Sequence, residues 1–455
     1  MNMGFKDITK GIFKAYDIRG LYPEEVDRED VYRIARAFAS VADCDTIVVG
    51  HDMRESADTF APAVIEGILD QGVNVIDIGL TSTPMCYFAV IHTGAQGCVM
   101  CTASHNPAEY NGLKMTVNGT VPSIAKISNP DLREIAAKGE FADPAKRGTL
   151  TKGPDDLMDA YTEAVLDNCG VRDLKGLKVV VDCANGMGGY VLPTLFKKLG
   201  NDPTKLYWRL DGSFPNHEAN PLKTETLLRL RDTVVDTGAD IGVAYDGDAD
   251  RVAFVDEKGQ IISGDFVIAL IAQPILKENP GLKIMYDLRS SMVVPEVIEE
   301  NGGTAVKCRV GHALIKKQMR EEGGYFGGEL SSHYYFSSFY TTDNGDLAML
   351  NIIKLMLDQK KPLSEIVAPL RKYFHSGEIN SKVESVPDVL ARLKSIYAEK
   401  ANNSFELDGF SAEFDDWWFN VRPSNTEPLI RLNLEAKCEK LMKEKVKEVL
   451  AVIRQ

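Results

Sequence analysis

A short acidic segment near the middle of the chain carries three aspartates within five residues. Asp246, Asp248 and Asp250 alternate there with a glycine and an alanine. In an extended segment this spacing places the three carboxylates on one side, and the small residues between them allow the backbone to bend. Like charges this close repel one another unless a cation lies between them, and Mg²⁺ with oxygen ligands keeps positions open for phosphate oxygens. The spacing therefore indicates a magnesium site, with a solvated acidic turn as the alternative.

A serine follows an apolar segment in Thr-Ala-Ser104-His-Asn-Pro. No Gly-x-Ser-x-Gly motif surrounds it, so a hydrolase nucleophile is poorly supported. A serine can also take part in chemistry by carrying a phosphoryl group, which requires an electrophilic environment of cations around it. Ser104 is therefore a candidate phosphoryl carrier.

Two further polar segments have the composition of a sugar-phosphate site. Glu329, Ser331 and His333 alternate as the aspartates do, and a carboxylate can accept hydrogen bonds from two neighbouring sugar hydroxyls. Near the C-terminus, Arg-Pro-Ser-Asn-Thr at 422–426 combines a forked guanidinium with hydroxyl and amide groups, which suits a phosphate. A structurally satisfied glutamate and an ordinary surface turn are the respective alternatives.

The pattern of apolar segments around these residues occurs three times. An apolar segment ending at an aspartate occurs at 46–52, 177–182 and 282–287, and each is followed by a helix-like segment and two further apolar segments. The last segment of each series ends at Ser104, at the aspartates or at Glu329. Alternating strands and helices are typical of α/β units, and their ligand-binding loops gather at the strand ends. We therefore expect three tandem related α/β domains with mixed sheets, arranged around a central cleft.

The sequence pattern changes after residue 366. Two helix-like segments flank two strand-like segments there, which predicts a smaller C-terminal α+β domain. A polar stretch with two prolines, at 357–369, indicates a domain boundary there. A phosphate-binding loop on the smaller domain that closes over a ligand and opens again predicts a hinge near 360–372. The predicted domains, each with one of the polar loops, are 1–150 (phosphoserine loop), 151–256 (metal loop), 257–366 (sugar loop) and 367–455 (phosphate loop).

Composition restricts the class of protein. The formal net charge of −14 disfavours nucleic acid and anionic membrane surfaces as partners. The N-terminus lacks the pattern of a secretory signal, and the most apolar segment, at 266–276, is too short to span a bilayer. The eight cysteines are scattered, as is typical of a reducing compartment. A cytoplasmic enzyme is therefore expected.

Five segments together, in this order, resemble the α-D-phosphohexomutase family of phosphomannomutases and phosphoglucomutases. They are FKAYDIRG (13–20), TASHNP (102–107), DGDADR (246–251), GELSSH (328–333) and RPSNTEP (422–428). The resemblance implies four domains around one cleft, Mg²⁺ as cofactor and a phosphorylated serine. It also implies that hexose 1-phosphate and hexose 6-phosphate are interconverted, with hexose 1,6-bisphosphate as intermediate or activator.

The resemblance also implies roles for individual residues. Ser104 is the expected phosphoserine, and one of its oxygens is expected to bind the metal together with Asp246, Asp248 and Asp250. The residues expected to contact sugar hydroxyls are Glu329, Ser331 and His333. The residues expected to hold the non-reacting phosphate are Arg422, Ser424, Asn425 and Thr426. The residues expected to line the cleft near the reacting centre are Tyr16, Arg19, His105, Lys114, Arg251 and His312.

Two glycines that are usual in the family are replaced here, by Ala249 and by Ser332, and we expect the added side chain at 332 to influence which sugar fits. The Ser-x-His-Tyr-Tyr-Phe continuation resembles bacterial phosphomannomutases more than the glucosamine-phosphate branch.

The expected reaction is the interconversion of mannose 1-phosphate and mannose 6-phosphate. The alternatives are a phosphoglucomutase or dual enzyme, a non-catalytic sugar-phosphate sensor and a Mg²⁺-dependent phosphatase. His333, His312 and Lys114 are open candidates for the general base. The expected partners are small-molecule hexose phosphates, and the protein is expected to be a monomer or a small homo-oligomer.

Overall fold

The computed structural model describes residues 7–142, 144–423 and 429–455. The strands in these ranges form four sheets that follow one another along the chain. In the same ranges, no helix is both long enough and apolar enough to cross a membrane. All eight cysteines are free thiols, seven of them buried, and Cys438 is exposed.

The first sheet has seven strands and is mixed. Its strands are β1 (Ile18–Leu21), β2 (Thr46–His51), β3 (Asn74–Leu80), β4 (Gly97–Cys101), β5 (Tyr110–Val117), β6 (Val121–Pro122) and β7 (Leu150–Lys152). The accompanying helices are α1 (Arg28–Val41), α2 (Ala57–Asp70), α3 (Thr83–Thr93) and α4 (Asn129–Lys138). The strand order is β1-β5-β4-β2-β3-β7, with β6 paired to β5. Strand β4 is buried along its whole length, as expected of a central strand that is covered on both faces.

The second sheet has five strands in the order β12-β11-β10-β8-β9. Its elements are α5 (Leu157–Cys169), β8 (Val179–Asp182), α6 (Gly188–Lys198), β9 (Thr204–Leu206), α7 (Leu228–Thr237), β10 (Ile241–Tyr245), β11 (Val252–Asp256) and β12 (Ile261–Ile262). Strand β10 is buried at all five positions and leads directly into the acidic loop.

The third sheet also has five strands, in the order β14-β13-β15-β16-β17. Its elements are α8 (Gly264–Glu278), β13 (Lys283–Asp287), α9 (Val293–Glu300), β14 (Thr304–Cys308), α10 (His312–Glu322), β15 (Gly324–Gly328), β16 (Tyr334–Phe336), β17 (Thr342–Asp343), α11 (Gly345–Gln359) and α12 (Leu363–Val367). The side chain of Asn344 caps α11 by accepting a hydrogen bond from the backbone N–H of Leu347.

The fourth sheet is antiparallel throughout, in the order β18-β22-β21-β20-β19. Its elements are β18 (Phe374–Lys382), α13 (Val386–Tyr397), β19 (Asn403–Phe405), β20 (Phe410–Glu413), β21 (Trp417–Pro423), β22 (Leu429–Ala436) and α14 (Glu439–Ile453). Its apolar side chains pack among themselves around Phe419, Leu432 and Leu434. By contrast, one continuous core joins α3 of the first domain to the second and third domains.

The first three sheets share one arrangement at their centre. Three parallel strands lie side by side, and the last of them in sequence pairs with an antiparallel strand. The connections β4–β5, β10–β11 and β15–β16 are therefore equivalent, and they are the loops that contain Ser104, the three aspartates and Glu329. The prediction of three related α/β domains with mixed sheets and a smaller α+β domain is confirmed.

The first two sheets extend a few residues past the domain limits expected from sequence. Strand β7 of the first sheet extends past residue 150, and β12 of the second lies beyond 256. Within the stretch 360–372, expected to be a hinge, α12 packs its buried side chains Leu363 and Val367 into the core of the preceding domains. The chain crosses to the fourth sheet after Leu370, which is also buried there.

Candidate active site

The β4–β5 loop holds Ser104 in an unusual backbone conformation. Ser104 has a φ of 51°, in the left-handed region that non-glycine residues rarely adopt. Its backbone N–H donates to Thr102 Oγ1 at 2.9 Å, and that hydroxyl donates to Asp52 Oδ2 at 2.6 Å. These two bonds fix the turn, so that the serine side chain leaves the end of β4 in a set direction.

Arg54 holds the same loop by hydrogen bonds to its backbone carbonyls. Its guanidinium donates to the backbone carbonyls of Ser104 at 2.8 Å, Asn106 at 2.6 Å, Pro107 at 2.6 Å and Tyr110 at 2.8 Å. The side chain is fully buried. Because it satisfies four carbonyls of one loop, Arg54 determines the loop's shape, and our reading of the sequence missed it.

A repeat in the sequence could have revealed Arg54. The backbone N–H of Arg54 donates to Asp52 Oδ1 at 3.0 Å, directly after β2. The backbone N–H of Arg289 donates in the same way to Asp287 Oδ1 at 2.7 Å, after β13 of the third domain. An Asp-x-Arg turn at the end of the first core strand in two related domains is a signal that single-residue inspection does not detect.

The serine side chain contacts the acidic loop across the boundary between the first and second domains. Ser104 Oγ donates to Asp246 Oδ2 at 2.8 Å. The two loops are in close contact at Gly247. A Cβ added to Gly247 would lie 2.5 Å from the carbonyl oxygen of Ser104. Only glycine therefore fits at position 247.

The three aspartates are fully buried and unequally paired. Lys114 Nζ donates to Asp248 Oδ2 at 2.7 Å and also to Asp250 Oδ2. Asp248 Oδ2 additionally accepts from Thr83 Oγ1 at 2.5 Å. Among the described residues, Asp248 Oδ1 and Asp250 Oδ1 have no hydrogen-bond partner. Two orphaned carboxylate oxygens beside a serine hydroxyl form a donor set that fits a hard cation such as Mg²⁺.

The electrostatics of this loop favour the binding of a cation. Burial raises the pKa of Asp246 well above its usual value, and its neighbours Asp248 and Asp250 raise it further. Burial alone would lower the pKa of Lys114, but the same two aspartates outweigh it and raise that pKa above the usual value. Lys114 therefore stays protonated.

The acidic loop also meets the β15–β16 loop of the third domain. Arg251 and His333 form an isolated β-bridge, and Arg251 Nε donates to His333 Nε2 at 3.0 Å. His333 Nδ1 lies 3.0 Å from Glu329 Oε2. Since His333 Nε2 accepts a hydrogen bond, the neutral ring carries its proton on Nδ1 and directs it at Glu329.

Glu329 is bound on both oxygens. Its Oε1 accepts from the backbone N–H of Gly311 at 2.8 Å, and its Oε2 accepts from Tyr335 Oη at 2.5 Å. Ser331, the next predicted sugar contact, is half-buried and its Oγ lies 3.5 Å from His333 Nδ1.

Ala249 and Ser332, which stand where glycine is usual, both have left-handed backbone conformations. The φ angle is 63° at Ala249 and 65° at Ser332, which explains why glycine suits both. The Ser332 side chain is buried and interacts with the Tyr334 hydroxyl. It is therefore directed into the third domain, and the expected effect of this side chain on the sugar is not supported by its orientation.

The N-terminal segment joins the first and third domains beside the serine. Arg19 donates to Asn106 Oδ1 at 2.9 Å and to Asp17 Oδ2 at 3.0 Å. Asp17 in turn lies 3.1 Å from Nε2 of His312, the first residue of α10. The Tyr16 ring meets the His312 ring edge-on, with centroids 4.7 Å apart. His312 is thus both a helix N-terminal residue and a cleft residue.

The structure therefore brings most of the predicted residues together. His105 belongs to this group, with Nδ1 3.3 Å from Ser104 Oγ and a pKa that burial lowers well below its usual value. The predicted residues in this connected set are Tyr16, Arg19, Ser104, His105, Lys114, Asp246, Asp248, Asp250, Arg251, His312, Glu329, Ser331 and His333. Ser424, Asn425 and Thr426 lie outside the described residues.

A second, basic site lies on the fourth domain. Arg422 and Arg431 are cross-strand partners on β21 and β22. Their terminal nitrogens donate to Glu378 at 3.0 Å each, Arg422 to Oε2 and Arg431 to Oε1. Arg289 of the third domain faces this pair closely enough that its charge lowers the pKa of Arg422, after the larger effect of burial. Two guanidinium groups that share one carboxylate, with the charge of a third acting on them, form a candidate anion site. Of these three arginines, the sequence indicates only Arg422.

Together, the fold and these contacts define a class of protein. A serine faces a cation-binding carboxylate loop, basic side chains lie beside it, and a separate anion site lies on another domain. These are the components of an enzyme that transfers phosphoryl groups.

Comparison with known proteins agrees with this class. Family models described as phosphoglucomutase/phosphomannomutase match residues 10–142 (alpha/beta/alpha domain I), 159–259 (domain II), 263–373 (domain III) and 378–452 (C-terminal domain). The chain is 38% identical over 452 residues to a phosphomannomutase of Escherichia coli strain K12, covering 97% of this chain and 99% of that protein. It is 39% identical over 446 residues to a phosphomannomutase of Methanocaldococcus jannaschii, covering 97% of each.

A solved structure is also similar over nearly the whole chain. The phosphoglucomutase/phosphomannomutase family protein from Burkholderia thailandensis matches with a TM-score of 0.89 at 30% identity, covering 98% of each chain. The chain belongs to the phosphoglucomutase/phosphomannomutase family, and it is an intramolecular phosphotransferase, that is, an isomerase.

Proposed function

We propose that this protein interconverts mannose 1-phosphate and mannose 6-phosphate through a phosphorylated Ser104 and a hexose 1,6-bisphosphate intermediate. The observation that supports it best is the 2.8 Å contact between Ser104 Oγ and Asp246 Oδ2. This contact brings the proposed phosphoryl carrier against the carboxylate loop, although the two residues are 142 positions apart. The similarity to phosphomannomutases over 97% of the chain supports mannose as the sugar.

Mg²⁺ is the proposed cofactor. Asp246, Asp248 and Asp250 would hold it together with an oxygen on Ser104, and the two orphaned carboxylate oxygens supply free ligand positions. When bound, the ion neutralises charge on the transferring phosphoryl group and on the departing serine oxygen.

The chain's own cations act on the phosphoryl oxygens. Arg19 reaches the serine loop, where it contacts Asn106 and the carbonyl of Ala103. Arg251 lies on the other side, and its Nε is 3.7 Å from Asp246 Oδ2. Both guanidiniums are preorganised by carboxylates, so they can stabilise developing negative charge without large rearrangement.

Among the three candidate general bases, the contacts favour His333. Lys114 is held protonated between two aspartates. His312 has Nε2 bound to Asp17 and Nδ1 directed to within 3.8 Å of Asp343 Oδ2. Of the two histidines, His333 is the one that contacts the acidic loop. Glu329 orients its Nδ1, while its Nε2 accepts from Arg251 Nε and lies 3.5 Å from Asp250 Oδ1. It can therefore act as an oriented base once a sugar hydroxyl takes the place of the Arg251 N–H.

The two half-reactions mirror each other. In the first, the bond between Ser104 Oγ and phosphorus breaks while a bond from a sugar oxygen to phosphorus forms. His333 accepts the proton of that sugar hydroxyl, and the serine oxygen leaves as an alkoxide beside Asp246, its contact in the structure. After the bisphosphate reorients, its other phosphate is transferred to Ser104 and His333 returns the proton to the sugar.

A coupled assay with mannose 1-phosphate and with glucose 1-phosphate, each with a trace of hexose bisphosphate, tests this function. We expect faster turnover of mannose 1-phosphate, phosphate on the Ser104 peptide by mass spectrometry, and loss of activity by at least about 10³-fold in Ser104→Ala. Equal rates would indicate a dual enzyme, and release of inorganic phosphate a phosphatase. Binding without turnover would indicate a sensor. Cytoplasmic location and oligomeric state remain predictions.

A further inference from the structure

Glu378 lies between the two arginines of the fourth domain. Strand register places Arg422 directly opposite Arg431, and like charges in such a position destabilise a sheet. Glu378, on the neighbouring strand β18, inserts a carboxylate that bonds both guanidiniums at 3.0 Å. One carboxylate oxygen per guanidinium is also how a phosphate would bridge the pair.

The carboxylate is held firmly in this position. Burial would raise the pKa of Glu378, but Arg422 and Arg431 outweigh it and lower that pKa below its usual value, so the group stays ionised. The third guanidinium, Arg289, is already paired with Asp287 through two bonds, at 2.7 Å and 3.1 Å. Glu378 is therefore the negative charge that an incoming phosphate meets at Arg422.

We propose that Glu378 is an internal anion that aligns the two arginines and limits their affinity for the substrate's phosphate. This inference rests on the proposed function, because a bisphosphate must leave this site and return with its other phosphate during each turnover. A phosphate held by Arg422 and Arg431 without a competing carboxylate would dissociate slowly. Glu378 makes the site tight enough to orient the sugar and weak enough to release it.

The sign of the effect follows from the charge. Glu378→Gln keeps the size of the side chain and removes the negative charge beside both arginines. We expect roughly tenfold tighter binding of inorganic phosphate and of mannose 6-phosphate. We also expect KM and kcat to fall together, because product release becomes slower. Glu378→Asp keeps the charge and should bind phosphate within about threefold of the unchanged protein.

Calorimetry in the Ser104→Ala background tests the proposal without turnover. The titrants are inorganic phosphate and mannose 6-phosphate, and the variants are Glu378→Gln, Glu378→Asp and Glu399→Gln, an exposed carboxylate of the same domain. Adding Arg422→Ala to Glu378→Gln should abolish the gain, which assigns it to this site.

The outcomes separate this inference from the proposed function. Unchanged or weaker binding in Glu378→Gln would overturn it, since Glu378 would then only support the arginines. Tighter binding in Glu378→Gln, and not in Glu399→Gln, supports it even if the unmodified protein fails to isomerise mannose 1-phosphate. That failure would reject the proposed function alone.

Discussion

At the scale of single residues, the pairing of each oxygen decides what the acidic loop can bind. Asp248 is held through one oxygen by Thr83 and Lys114, and its backbone carbonyl accepts from the Thr83 N–H at 3.0 Å. Its second oxygen is left without a partner among the described residues. Thr83, the first residue of α3, therefore selects which Asp248 oxygen faces the cation.

We predict that Thr83→Val weakens binding of Mn²⁺, used as a spectroscopic substitute for Mg²⁺, by roughly tenfold. Valine keeps the shape of threonine and loses the hydroxyl that orients Asp248. Thr83→Ser retains the hydroxyl and is the matched control. Electron paramagnetic resonance titration measures the affinity directly, and equal losses in both variants would contradict a role for the hydroxyl.

At the scale of elements, each catalytic loop is shaped by an element that is distant in sequence. Arg54, at the start of the segment leading to α2, closes the β4–β5 loop around Ser104. The Phe214 ring covers the same guanidinium, at 5.1 Å from its centroid. The loop conformation thus depends on contacts that only the folded first and second domains provide.

Arg54→Lys should lower stability by about 3 kcal/mol, because a lysine cannot satisfy four carbonyls at once and buried acceptors are left unpaired. Activity should fall even at temperatures where the variant is fully folded, because the turn that holds Ser104 loosens. Thermal unfolding and phosphate incorporation at Ser104 measure the two effects. Arg28→Lys, at an exposed ion pair with Glu66, is the control that should change neither.

The N-terminus of α11 joins the second and third domains through a buried carboxylate. Asp346 accepts from Tyr161 Oη at 2.7 Å and from Tyr245 Oη at 3.1 Å. Burial outweighs these two hydrogen bonds and raises the pKa of Asp346 to about 6. Tyr245 directly precedes the acidic loop, so this network supports the loop from behind.

Asp346 should make stability depend on pH between about 4 and 6. The folded protein binds the Asp346 proton more tightly than the unfolded chain, so its contribution is present at low pH and is lost as pH rises through 6. Relative to Asp346→Asn, the unchanged protein should lose up to about 3 kcal/mol over this range. Unfolding of both proteins at a series of pH values measures the difference, and parallel curves would contradict the raised pKa.

The sequence revealed those features that are local. Ser104, the aspartates and Glu329 were identifiable because each follows a buried strand, where polar residues are unexpected, and because the strand pattern repeats. Arg54 and Glu378 were not identifiable. An isolated arginine or glutamate resembles an ordinary surface residue, and the role of each arises from partners about fifty positions away.

At the scale of the whole molecule, three domains are joined by one core and the fourth has a core of its own. Polar contacts join the fourth domain to the third. One is Glu435, which accepts from the backbone N–H of Met292 at 2.8 Å, and another is the ion pair of Lys307 with Glu413. Domains joined by polar contacts and without a shared apolar core are expected to move relative to one another.

A chain ending at Tyr373 should therefore fold, because the buried side chains up to Leu370 belong to the preceding core. We expect it to bind Mn²⁺ with unchanged affinity and to lose binding of mannose 6-phosphate, since Arg422 and Arg431 are removed. Circular dichroism, Mn²⁺ titration and calorimetry test this. Loss of the folded state would show that the fourth domain is needed for the stability of the others.

The distribution of thiols has a practical consequence. Seven cysteines are buried and Cys438 alone is exposed, immediately before α14 of the fourth domain. A maleimide fluorophore should therefore attach to the native protein at one position without any mutagenesis. Its signal would report motion of that domain while sugar phosphate is turned over.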